Sequence, residues 1–205
     1  MNTRTNLVAA IALALSIGSC VTKSADSGEP KLKLLLSRTD VVLVKHFYPA
    51  SATVTEVQDE KYKAVVPGQA VMSPLWVYEP SRETEGQKGA RVETREGFFV
   101  GIGGIKNGGR EAVCYLDLSE LNDLESALAY FLDPKNPWRS GTKSDHVEVD
   151  FHAKDEFAVS AFHASDGNDT LAIKVRNTSI YAPFSRAATL RDEVHKTIEV
   201  LNGLK

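Results

Sequence analysis

The chain has 205 residues, 42% of them apolar and 25% charged, with a formal charge of −3. These are the proportions of a globular protein long enough for one large domain, not of a disordered chain. Removal of residues 1–19 takes away Arg4 and no acid; Lys and Arg fall from 24 to 23 against 27 acids, leaving −4, so the basic footprint that nucleic acid requires is missing.

Met1 to Asn6 is polar with one cation, and Leu7 to Ile17 is an almost unbroken run of Leu, Ile, Val and Ala. That run is too short to cross about 30 Å of hydrocarbon as a helix and has the length of a signal-peptide core. Gly18 and Ser19 supply small residues at its end. Ile17-Gly18-Ser19-Cys20 resembles the lipobox of bacterial lipoproteins. The resemblance implies a signal peptide over 1–19, cleavage before Cys20, and lipidation of Cys20 with three acyl chains, palmitate-like in chemistry. Each buried methylene is worth about 0.8 kcal/mol, so two or more chains anchor firmly. Val21 stands where an aspartate would favour retention at the inner membrane, which points to the outer membrane. Residues 20–39 are expected to be the lipidated cysteine and a tether, the Ser-, Gly-, Lys- and Asp-rich run from Val21 to Pro30 having the composition of a flexible linker.

The remainder, 40–205, is expected to be a single α+β domain. Lys31 to Leu36 reads as a short helix or lead-in. Val41 to Tyr48, Ala52 to Val57, Tyr62 to Val66 and Gln69 to Tyr78 have β character, separated by turn residues, and Glu79 to Gly89 is a polar loop. Strands are predicted over Arg91–Thr94, Phe98–Ile105 and Glu111–Leu118. Ser119 caps a helix whose Leu121, Leu124, Leu128, Phe131 and Leu132 make one apolar stripe. Pro134 to Ser144 links to a second series. In it His146 to His152 alternates, Phe157–Phe162 and Leu171–Val175 are strands, Thr178–Ala188 is irregular, and Thr189 caps a helix carrying Leu190, Val194, Ile198 and Leu201, with Gly203 as its C-terminal cap.

A shift of about 59 positions overlays the two series without a gap through three strands: Arg95-Glu96 on Lys154-Asp155, Phe98 on Phe157, and Ala112, Cys114 and Leu116 on Leu171, Ile173 and Val175; the helices align at a shift of about 70, Ser119 on Thr189, with Thr178–Ala188 as an insertion. This predicts two degenerate β-β-β-α units, over about 90–133 and 146–203, in an antiparallel β-rich sheet with two helices on one face. The runs Lys88–Glu93, Tyr115–Leu121 and Phe184–Leu201 resemble a family of small, uncharacterised bacterial proteins, a likeness that implies no activity. Repeated β-β-β-α units are also similar to single-stranded nucleic-acid-binding folds, a partner that the acidic charge and exported address argue against.

No segment forms a catalytic signature. Gly101, Gly103, Gly104, Gly108 and Gly109 precede a strand, whereas a phosphate loop opens a helix; they are expected to serve packing and a hairpin. His146, Glu148, Asp150 and His152 share a strand face, with His163 further on, but His146 and His152 stand about 20 Å apart on an extended strand, too far for one ion. Asp117 and Glu120, at a strand–helix junction, suit the positive end of a helix dipole. Cys114 shares a face with Ala112 and Leu116 and is expected to pack as a small apolar residue. Trp76, Tyr78 and Trp138 suit either partner anchors or core. No catalytic, metal or cofactor residues are therefore assigned. The expectation is a non-catalytic binding or structural module of the envelope, meeting the membrane through Cys20 and an envelope protein; the alternative is an extracytoplasmic enzyme whose site assembles from distant residues.

Overall fold

A computed structural model of the chain describes residues 28–37, 43–46, 52–55, 64–66, 68–80, 86–100, 106–136, 138, 147–163 and 168–204. Cys20, His146, Gly101, Gly103 and Gly104 lie outside the described residues. The fold is α+β with antiparallel strands throughout the described pairings.

The chain enters through a six-residue helix, α1 (Lys31–Leu36), and builds a five-stranded sheet. Its strands are β1 (Leu43–His46), β2 (Ala52–Thr55), β4 (Gln69–Tyr78), β5 (Gln87–Arg95) and β8 (Glu111–Asp117). The order is β1-β4-β5-β8, with β2 sharing the outer edge of β4 alongside β1. A small sheet of β3 (Ala64–Val66), β6 (Phe98–Val100) and β7 (Lys106–Gly108) stands apart. After helix α2 (Leu118–Leu132) come β9 (Glu148–Ala153), β10 (Phe157–His163), β11 (Asp169–Val175) and β12 (Thr178–Pro183), a four-stranded meander in the order β12-β11-β10-β9. Helix α3 (Arg186–Gly203) ends the fold.

The alternation of each strand sorts its residues between one shared core and the outside. Ala112, Cys114 and Leu116 of β8, Leu171, Ile173 and Val175 of β11, and Ile180 and Ala182 of β12 are buried in one cluster. The stripe Leu121, Leu124, Leu128 and Phe131 of α2 joins it, as do Leu190, Val194, Ile198 and Leu201 of α3. The two helices pack on each other; α3 also lies on β2 and β4 of the first sheet, and α2 reaches β9 of the second. On the opposite face of the first sheet, Leu32 of α1 is completely buried with Leu75 and Val77, and Leu35, Leu36 and Tyr115 pack around them.

The strand pairing departs from expectation in three places. Instead of one sheet, the strands divide over two larger sheets and a small one. Phe98–Ile105 is not the middle strand of a meander: β5 pairs directly with β8, from Gly89 opposite Asp117 to Arg95 opposite Glu111, and β6 belongs to the small sheet. The cause is local. The Glu96 N–H donates to the Arg110 carbonyl at 2.9 Å, and the Arg110 guanidinium holds the Glu96 carboxylate at 2.8 and 2.9 Å, closing residues 96–110 into an excursion. Gly108 and Gly109 turn it with φ of 108° and 86°, values at which glycine escapes the Cβ penalty. Third, Thr178–Pro183 is a strand, with Thr178, Ile180 and Ala182 buried and Ser179, Tyr181 and Pro183 outside. By pairing order, then, β4-β5-β8-α2 corresponds to β10-β11-β12-α3, each with three antiparallel strands and a helix; this sets the edge strand β8 on the edge strand β12, so the 59-position shift, which lays Ala112, Cys114 and Leu116 on the interior strand β11, is not the register of the fold.

The helix boundaries shift with these changes. Asp117, not Ser119, is the N-cap of α2, and Glu120 three residues on completes a capping box. Helix α3 starts after Ser185 rather than at Thr189, and Gly203 lies within its last turn.

Candidate functional site

Two carboxylate–arginine corners hold the two halves together, and the richer of them is the candidate site. The β9–β10 turn is tight: Asp155 and Glu156 both have positive φ, 54° and 58°, and the Phe157 N–H donates to the Lys154 carbonyl. Two successive left-handed residues are what a hairpin turn matched to strand twist demands. The turn pushes the Asp155 side chain, 3% exposed, against the first half. There it accepts the Tyr115 N–H at 3.1 Å, the Lys33 ammonium at 2.6 Å and the Arg176 guanidinium at 2.9 Å. Strand β8 forms an edge of its sheet, so the Tyr115 N–H has no strand partner on that side, and Asp155 occupies the donor that another strand would use.

The second corner mirrors it. Strand β12 is likewise an edge, and the Ser179 N–H donates to the Glu96 carboxylate at 3.4 Å, itself held by Arg110. Just beside it, in the core, the hydroxyls of Thr94 and Thr178 hydrogen bond to each other across the two sheets. Glu96 and Asp155 thus each engage an N–H of an edge strand of the other half, although the strand correspondence sets Glu96, after β5, against Arg176, after β11, and not against Asp155. Arg176 takes φ of 52° at the β11–β12 turn, an uncommon conformation for a long side chain, fixed by its N–H donating to the Glu156 carbonyl at 2.9 Å.

Asp117 and Glu120 lie at the same end as Asp155. Glu120 is 8% exposed and accepts the N–H groups of Lys154 at 2.8 Å and Asp117 at 2.9 Å. Burial pushes its carboxyl above the usual carboxylate range, against the pull of those two N–H donors. A group raised in the folded state contributes stability that is present below its unfolded pKa, about 4.3, and lost as pH rises through the folded value. The margin of the wild type over Glu120→Gln should therefore shrink as pH climbs above about 4, read from urea unfolding of both proteins; a margin that stays level or grows would contradict the assignment. The Asp117 carboxylate accepts the N–H groups of Lys31 and Leu32, each at 2.9 Å, tying α1 to the β8–α2 junction.

Cys114 is fully buried. Burial, reinforced by the Asp155 charge, raises its thiol far above the usual range, so it packs as an apolar residue and is not a nucleophile. Glu148, Asp150 and His152 are exposed on alternate positions of β9, the solvated face of an amphipathic strand. No cluster of three metal-ligating side chains occurs among the described residues. Trp76, Tyr78 and Trp138 are 4%, 6% and 4% exposed, which removes them as surface anchors. Trp138 stacks edge-on against Phe184 at 5.0 Å. Trp76 lies 5.0 Å from Tyr78, with the Lys45 ammonium 4.6 Å from its ring centre.

Sequence reasoning missed Asp155, Arg176 and Lys33. No local pattern marks them, because Asp155 meets Arg176, Tyr115 and Lys33 from 21, 40 and 122 residues away. In comparisons with protein-family models, with curated proteins and with solved structures, no match to the chain was found.

Proposed function

We propose that the chain is a lipid-anchored protein of the cell envelope, at the outer rather than the inner membrane, and that it works there as a non-catalytic binding or structural module. The observation that carries this reading is Ile17-Gly18-Ser19-Cys20 behind an eleven-residue apolar run, Leu7 to Ile17, the arrangement of an acylated export signal. The polar groups of the folded part support the second half of it. Asp155 is engaged by one N–H and two cations, and Glu120 by two N–H groups. Carboxylates committed in this way hold elements together; neither presents an open face to a reactant.

The test is crosslinking in intact cells expressing the full chain, followed by fractionation. The expected result is recovery in the membrane fraction with an envelope component attached, and loss of that adduct when Cys20→Ala releases the chain from the membrane. Recovery of the wild type in the cytosol, or adducts only with cytosolic components, would overturn the reading.

A further inference from the structure

Resting on the anchoring reading, we infer that the outer face of the five-stranded sheet, presented by α1, is the surface that lies against the bilayer. Three fixings determine where the anchor segment meets the folded protein. Leu32 is wholly buried on Leu75 and Val77. Asp117 takes the Lys31 and Leu32 N–H groups. Lys33 reaches across to Asp155 at 2.6 Å. Pro30, itself buried, precedes the first turn. The point of attachment is thus a rigid part of the fold.

Ten residues separate Cys20 from Lys31. Fully extended, the eleven steps from Cys20 to Lys31 span at most about 40 Å, less than the roughly 60 Å path around a domain about 40 Å wide, so the acyl chains and the bilayer do not lie on the side opposite α1. The side of α1 carries apolar surface the core does not use. Leu34 is 49% exposed on the outward face of α1, and Val44 is 37% exposed. Val44 is the cross-strand partner of Val77 and so shares the face on which α1 sits. Lys31 is exposed one turn before Leu34, while Lys33 is committed to Asp155 and Glu29. The same sheet face also carries the ion pairs Arg91–Glu93 and Arg95–Glu111, so with two aliphatic side chains and a lysine near α1 it suits the headgroup layer, a short reach from a lipid anchor.

The test uses the full acylated chain in vesicles of phosphatidylethanolamine with a minor share of phosphatidylglycerol. An environment-sensitive fluorophore is attached at Leu34→Cys in one preparation and at Tyr181→Cys in another; Tyr181 is 48% exposed on the outward side of β12, in the other large sheet, and the buried Cys114 stays unlabelled. Nitroxide-bearing lipid should quench the fluorophore at position 34 several-fold more than at position 181. Equal quenching at the two positions, or none at 34, in a chain whose intact mass shows acylation overturns this inference and leaves the anchoring reading standing. A mass without acyl chains overturns both.

Discussion

Gly89→Ala is expected to lower stability by about 3 kcal/mol, at the upper end of overpacking costs. Gly89 pairs with Asp117 where β5 meets β8. A Cβ there would be driven into the Leu116 carbonyl oxygen, far inside van der Waals contact, and would stand 3.1 Å from Cδ2 of Leu32. The first obstacle is backbone in the middle of the fold and cannot swing aside; the second is a side chain of α1 that can. Urea unfolding of Gly89→Ala, Leu32→Ala and the double variant separates the two. Leu32→Ala alone costs about 2–4 kcal/mol through its cavity, and the double variant should not recover the loss at Gly89. A single alanine variant within about 0.5 kcal/mol of wild type, the range of harmless surface changes, would show that β5 and β8 do not approach so closely.

Asp155→Ala is the second large effect. It leaves the Tyr115 N–H without its acceptor and takes the shared counter-ion from Lys33 and Arg176. Removing one partner of a fully buried pair costs about 3–5 kcal/mol. Here the carboxylate is buried, but the Lys33 and Arg176 side chains are 26% and 41% exposed and regain water, so the expected cost is about 2–3 kcal/mol, a fall in Tm of about 5–10 °C for a chain of this size. Asp155→Asn keeps an oxygen acceptor and a side chain that tolerates left-handed backbone, so it should recover part of the loss in thermal unfolding. An alanine variant as stable as the wild type would remove the corner from the account. If the asparagine variant were no better than alanine, the charge would be the whole contribution and the turn geometry none.

These two residues show where a sequence is informative and where it is silent. The stripe Leu121, Leu124, Leu128 and Phe131 is legible because a helix repeats every 3.6 residues and only one face can be buried; all four are in the core. The placement of Cys114 with Ala112 and Leu116, and the polar face of β9, follow in the same way from the two-residue period of a strand. Pairing is another matter. Nothing in Phe98–Ile105 distinguishes a middle strand from an excursion, because both alternate; the decision rests on the Glu96–Arg110 closure, a contact between residues fourteen apart. Strand β12 was hidden by its small residues and by Pro183, which is tolerated because β12 is an edge.

The candidate site was less legible still. Asp155 reads as an ordinary turn residue, and its value arises only when Lys33, 122 residues away, and Tyr115, 40 residues away, arrive beside it. In the fold Glu96 and Asp155 each close an edge strand of the opposite half, but the 59-position shift that aligns them lays β8 on β11, whereas the pairing order sets β8 on β12. Helix α1, six residues long, could not be separated from a lead-in by periodicity; its docking on Leu75 and Val77 distinguishes it.

The measurement that bears most directly on the account is metabolic labelling with a radioactive fatty acid in cells expressing either the full chain or its Cys20→Ala variant. Label is expected on the wild-type chain, resistant to denaturing extraction, and none on the variant. Label that persists on Cys20→Ala, or a wild-type chain that takes up none, would contradict it.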